Sequence, residues 1–307
     1  MKDSAEIRAA LTGPVATVRT PFLANGNVDH AGLARSVDWM IEAGSGAVIL
    51  TYGDSLYSVL SDAEIGAVTR TVVDRTAGRA LVIAADRQWG TAQAAAFGRD
   101  ARAMGADLLM VLPPNWGGSV TPESLVEHYA AVAAEIPVMV VTNLFRGPHQ
   151  ALGLKTLEIA RDRVPGILAL KEDVGDEFAR KACMLVAQEW AVIAAREELF
   201  LDVRLFGCVG YMTPFFFFLP DVVRQTWEAI REERWDEVKR FLMEYDHPYR
   251  EFVGRLPGGY SAGLMGAFEL KGISGRWRRK PYHSLNNAEL AKLKEFFQQR
   301  QWLSPDQ

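Results

Sequence analysis

Cysteine is scarce: Cys183 and Cys208 are the only two in 307 residues. Both sit in apolar surroundings, KACMLV and FGCVGY, with no CxxC or mixed Cys/His spacing, which excludes a disulfide framework and a structural zinc site. Two buried thiols in a reducing cytoplasm are expected. Long apolar runs are missing as well. The longest, PFFFFLP at 214–220, falls far short of the roughly 18 residues that span a bilayer, and MKDSAEIRAA carries charge where a signal peptide needs an apolar core. A soluble cytoplasmic chain with no membrane partner is expected. An excess of one charge is missing too: 34 Lys and Arg stand against 38 Asp and Glu, a formal net charge of -4. No basic field exists to attract nucleic acid, so any partner must be recognised locally.

The five histidines, His30, His128, His149, His247 and His283, are scattered without HxH or HExxH spacing. A metal-dependent reaction is therefore not expected, and no metal ligands are assigned. There is no GxGxxG after the first apolar run, no GxxxxGK[ST] and no GxSxG elbow, so no cofactor is expected.

What the chain has is an alternation of structure. Runs rich in apolar and β-branched residues begin at 14–20 and recur at 46–52, 79–86, 107–114, 137–143, 166–173, 190–195 and 208–213. The first seven are each followed by a stretch of helical period, at 29–43, 61–76, 90–104, 122–135, 152–163, 175–189 and 197–206. Continuous rather than alternating apolar runs mark strands buried on both faces, as in a parallel sheet covered by helices. Eight such units argue for an α/β fold of the closed (β/α)8 TIM barrel type, with an open doubly wound sheet as the competing arrangement. Residues 1–220 are assigned to the barrel. Residues 221–307 are assigned to a helical C-terminal extension, with helices at 221–243, 259–272 and 287–301.

In a barrel the chemistry sits at the C-terminal ends of the strands. That rule selects a ring of positions: Arg19 and Thr20, Tyr52 to Ser55, Asp86 and Arg87, Pro113 to Trp116, Asn143 to Arg146, Lys171 to Asp173, Arg196 and Glu197, and Met212 and Thr213. Lys171 stands out because it ends the buried run GILAL. Burial penalises an ammonium ion, and the neutral amine is the form that attacks a carbonyl to give a Schiff base. The competing reading is a solvated strand-end lysine paired with Glu172 or Asp173.

Several segments resemble one family. PVATVRTPFLANGNVDHAGL is similar to the opening of dihydrodipicolinate synthase and N-acetylneuraminate lyase, pyruvate-dependent class I aldolases. GILALKEDVGD resembles the strand that carries their Schiff-base lysine, and RAMGADLLMVLPP, TPESLVEHYAAVA and RLFGCVGYMT follow in family order. The resemblance spans nearly the whole chain. It implies a barrel with a helical extension, Lys171 as the imine-forming residue, and a homo-oligomer, a dimer or tetramer.

The departures are specific. The family's Gly-Thr-Thr-Gly-Glu, which holds the 2-oxo carboxylate, is replaced by Tyr52, Gly53, Asp54, Ser55 and Leu56. An ionised Asp54 would repel a carboxylate unless it is protonated or paired with Arg19, Arg87 or Arg196; Ser55 and backbone amides are the alternative holders. The family's proton-relaying tyrosine after strand 5 is replaced by Val141, Thr142 or Asn143, depending on register. Trp116 or Gly117 stands where the family supplies an aromatic hydroxyl.

The expected activity is a Schiff-base lyase, aldolase or dehydratase acting on a small 2-oxo acid such as pyruvate or a deoxy sugar acid. Lys171, Asp54, Thr142 and Asn143 are the candidate catalytic groups. Tyr52, Gly53, Ser55, Trp116, Arg146, Arg196 and Met212 are the candidate substrate contacts. A barrel that binds or senses a small acid without turning it over is the alternative from another class, and true 4-hydroxy-tetrahydrodipicolinate synthase activity is a third.

Overall fold

Eight short strands pair in parallel and in chain order, with the eighth hydrogen-bonded to the first. They are β1 (Gly13–Thr17), β2 (Ala47–Ile49), β3 (Leu81–Ala85), β4 (Leu108–Val111), β5 (Val138–Val141), β6 (Ile167–Glu172), β7 (Ala191–Ala194) and β8 (Gly210–Met212). The computed structural model describes residues 2–113 and 117–303. Closure rules out the open sheet. Every strand except for one position each in β1 and β6 is buried along its whole length, the outcome that continuous apolar runs predict.

Helices cover the outside: α2 (His30–Glu42), α3 (Asp62–Thr76), α4 (Thr91–Met104), α5 (Pro122–Ala133), α6 (Gln150–Arg163), α7 (Asp176–Val186) and α8 (Glu197–Val203). Their starts are written in the sequence. Ser61 accepts the Glu64 amide while Glu64 reaches back to Ser61, and Thr121 does the same with Ser124 ahead of Pro122 at the first turn.

Two helices are absent from the sequence reading, one over Ser4–Leu11 and one over His247–Gly254. α1 (Ser4–Leu11) is capped by Asp3 and Glu6, buries Ile7 and Leu11 completely, and lies across the N-terminal end of the barrel. The Arg8 guanidinium donates to the carbonyls of Ala187 and Trp190, each at 2.9 Å. The approach of α1 demands glycine: a Cβ on Gly210 would lie 2.1 Å from the Leu11 carbonyl oxygen.

The helical C-terminal region comprises α9 (Pro220–Arg231), α10 (Trp235–Phe241), a π-turn over Leu242–Asp246, α11 (His247–Gly254), α12 (Gly259–Leu270) and α13 (Asn287–Gln299). The single helix expected over 221–243 is two, because the chain turns at Glu233, which adopts φ 56°. The four phenylalanines after β8 are buried to within 3% and meet Phe241, Tyr249, Phe268, Phe297 and Trp302. That run docks the C-terminal helices on the barrel. Among the described residues, no helix is long and apolar enough to cross a membrane.

Candidate active site

β6 delivers Lys171 to the C-terminal mouth of the barrel, level with Val141 on β5 and Ile193 on β7. The lysine is 8% exposed. Its Nζ lies 2.5 Å from Asp173 Oδ1 and 2.6 Å from Asp173 Oδ2. The spacing explains the pair: residues two apart on an extended chain share a face. Glu172, between them, points the other way into the wall and is fully buried. Its carboxylate accepts the amides of Val174 at 2.6 Å and Gly175 at 2.9 Å, which fixes the turn that follows, and burial pushes its carboxyl up.

Two further contacts hold Asp173. Its amide donates to Thr142 Oγ1 at 2.8 Å, and its carbonyl accepts from Arg146 at 2.5 Å. The carboxylate beside the lysine is thus anchored at its own backbone. Around the pair is a cavity of about 260 Å³ lined by Thr51, Tyr52, Gly53, Asp54, Met110, Leu112, Val141, Asn143, Arg146 and Met212 in addition to Lys171 and Asp173.

Two of the three residues left open for the tyrosine position reach the cavity. Val141 and Asn143 face the cavity, while Thr142, between them, is turned to the Asp173 amide and makes no part of the lining. Thr142, expected beside the reacting atoms, is engaged instead with the Asp173 backbone. Asn143 Oδ1 is enclosed without a hydrogen-bond partner among the described residues.

The loop after β2 departs from expectation at Ser55. Its hydroxyl donates to the Val18 carbonyl at 2.8 Å and accepts the Thr51 amide at 3.0 Å, with no surface left. Ser55 braces the loop rather than holding an acid. Asp54 pairs with Arg19, Oδ1 to Nη1 at 2.7 Å. Arg87 is spent elsewhere, on the Leu60 carbonyl and Asp62. Trp116 lies outside the described residues.

Arg196 also misses the lysine cavity. It lines a second one of about 150 Å³ with Thr17, Arg19, Asp54, Ala195, Met212, Thr213, Pro214, Arg250 and Tyr260. Asp54 and Met212 line both cavities, so the two adjoin. Behind the second lie two buried carboxyls. Asp246 accepts Arg250 Nε at 2.8 and 2.7 Å; for Glu197, burial and then the nearby Asp246 push the carboxyl up to about 7. Glu198, Asp246 and His247 bring ligand-type atoms within 4.8 Å of one another, but Asp246 is held by Arg250 and Glu198 by His247.

Sequence reading places Asp173 in the ring of strand-end positions and weighs it as a partner that would make Lys171 ordinary, but gives it no catalytic role, and it does not reach Arg250 or Tyr260 at all. The signal for Asp173 is its two-residue offset from Lys171. Arg250 and Tyr260 come from α11 and α12, and nothing in their helical pattern says which barrel loop they meet.

The chain matches the sequence profile of the dihydrodipicolinate synthetase family over residues 10–300. It is 28% identical to a probable 5-dehydro-4-deoxyglucarate dehydratase of Streptomyces coelicolor, over 98% of this chain and 97% of that protein. To a 4-hydroxy-tetrahydrodipicolinate synthase of Leptothrix cholodnii it is 30% identical, over 58% of this chain and 60% of the other. Among solved structures, the N-acetylneuraminate lyase of Fusobacterium nucleatum, in complex with pyruvate, superposes with a TM-score of 0.80 at 16% identity, over 94% of this chain and 97% of that one.

Proposed function

Since the chain belongs to the dihydrodipicolinate synthetase family of Schiff-base lyases, we propose that Lys171 forms an imine with a 2-oxo acid and that the reaction is the dehydration of a deoxy sugar acid. The observation that carries this reading is the buried Lys171 Nζ with a carboxylate 2.5 Å away in a cavity at the barrel mouth. The lysine must shed a proton to become a nucleophile, and Asp173 is placed to accept it.

The amine attacks C2 of the oxo acid, and loss of one water gives the iminium. The positive nitrogen withdraws electrons, so a proton on C3 becomes acidic and a hydroxyl on C4 can leave as a second water. Hydrolysis of the imine then consumes one water and frees the lysine, for a net loss of one water. Asp173 is the carboxylate within reach to move those protons, in place of the family's tyrosine. The carboxylate of the oxo acid has the amides of Tyr52 and Gly53 beside it, which donate to no described group.

Dehydration is favoured over the synthase reaction on two grounds. The dehydratase of Streptomyces coelicolor is 28% identical over 98% of this chain, whereas a synthase of Psychrobacter arcticus that covers 87% of it is 25% identical. The cavity also has Val141 and Asn143 where the synthase-type relay needs a phenol. Pyruvate and aspartate semialdehyde are expected to give no turnover.

The test is reductive trapping. Protein incubated with a 2-oxo acid and borohydride is expected to gain one adduct, mapped by peptide mass to Lys171, and Lys171→Ala is expected to abolish both adduct and turnover. Binding that survives in Lys171→Ala, with no turnover by the wild type on any deoxy sugar acid, would favour the non-catalytic reading that the Lys171–Asp173 ion pair also permits.

A further inference from the structure

We propose that the second cavity, between Arg19, Arg196, Arg250 and Tyr260, receives a carboxylate at the far end of the substrate, so that the protein selects 2-oxo acids carrying two carboxylates. The inference rests on the lysine cavity being the site of reaction.

The walls carry the argument. Three guanidinium groups and one carboxylate, Asp54, line the cavity. Arg19 is 7% exposed and uses Nη1 on Asp54, while its Nε is buried without a partner among the described residues. Arg250 gives its Nε to Asp246, and its nearest contact to Glu197 is 3.7 Å, beyond hydrogen-bond reach. Both forks therefore keep N–H groups that no described residue satisfies. The buried Arg19 donor gains most from an acceptor, the half-buried Arg250 less, and a planar carboxylate matches a guanidinium fork.

The two arginines are also held in place. Each guanidinium carbon lies 5.7 Å from the centre of the Tyr260 ring, so both cations share one aromatic contact. Such bracing suits a receptor for an anion that arrives from outside. The cavity is small, about 150 Å³, and it meets the lysine cavity at Asp54 and Met212. A chain held as an imine at one end would place its other end among the arginines. Asp54, spanning the junction, is within reach of hydroxyls in the middle of such a chain.

The experiment compares two acids of equal length, 2-oxoadipate with a distal carboxylate and 2-oxohexanoate with a distal methyl. Affinity for each is measured by titration calorimetry, and borohydride trapping is run in parallel. The ratio of the two affinities is the readout, because it cancels general losses of binding. Wild type is expected to favour 2-oxoadipate by at least tenfold, and Arg250→Gln to bring the ratio close to one. Arg250 is paired with a buried carboxylate, so Arg196→Gln, on a side chain 45% exposed, is the second variant and is expected to cut the ratio several-fold. A ratio near one in wild type, or unchanged in whichever variant folds, overturns the assignment. A preference for the dicarboxylate with no adduct at Lys171 leaves the subsite standing and removes the imine reading; an adduct with no preference does the reverse.

Discussion

At the scale of single residues, the site turns on how Asp173 is used. A carboxylate that carries protons should matter to turnover far more than to folding. Asp173→Asn keeps the shape and the contacts to Thr142 and Arg146, which run through the backbone, yet loses the base. Turnover is expected to fall by about 100-fold or more, the range for removing a positioned proton carrier, with the melting temperature little changed. A loss smaller than about tenfold would place proton transfer elsewhere. Thr142→Val provides a contrast, since it frees the Asp173 amide without touching the cavity. It is expected to lower turnover more than substrate affinity.

The same residues show what a sequence discloses. Lys171 is legible because a charge at the end of an apolar run has few reasons to be there. Asp173 is legible in principle, from the two-residue repeat of extended chain. Ser55 and Thr142 mislead, because a hydroxyl spent on a neighbouring amide looks the same in sequence as one offered to a ligand. Arg250 and Tyr260 are invisible, since they reach the mouth from helices whose docking is a matter of tertiary packing.

At the scale of elements, strand order and helix starts follow from patterning and caps, whereas joints depend on contacts between distant segments. The phenylalanine run after β8 is such a joint. Its apolar character is plain in the sequence, but the partners Tyr249, Phe297 and Trp302 lie up to the end of the described chain. Phe218→Ala is expected to cost about 3–5 kcal/mol, read from the denaturant midpoint. The joint between α1 and β8 is tighter. Gly210→Ala forces a methyl against the Leu11 carbonyl and is expected to destabilise by about 1–3 kcal/mol or more, with α1 the first element to lose amide protection in hydrogen exchange.

At the scale of the whole molecule, buried acids set the response to pH. Asp86, at the end of β3, is fully buried; its Oδ1 accepts the Leu112 amide at 3.0 Å, and burial pushes the carboxyl up to about 7 from 3.8. The folded chain therefore keeps this proton where the unfolded chain has lost it. The stabilisation is fully present below about 4 and is lost as pH rises toward 7. Asp86→Asn removes the ionisation, so its melting temperature relative to wild type is expected to be more favourable at pH 8 than at pH 5. An equal offset at both would show that Asp86 does not ionise in this window.

The helix laid over the N-terminal end of the barrel has a consequence for traffic. With α1 pressed against the glycines of that end, the lysine cavity communicates with solvent on the opposite side. Substrate and product then meet the lysine from the same side, and a product that lingers occupies the place of the next substrate. Product inhibition should accordingly be competitive with substrate.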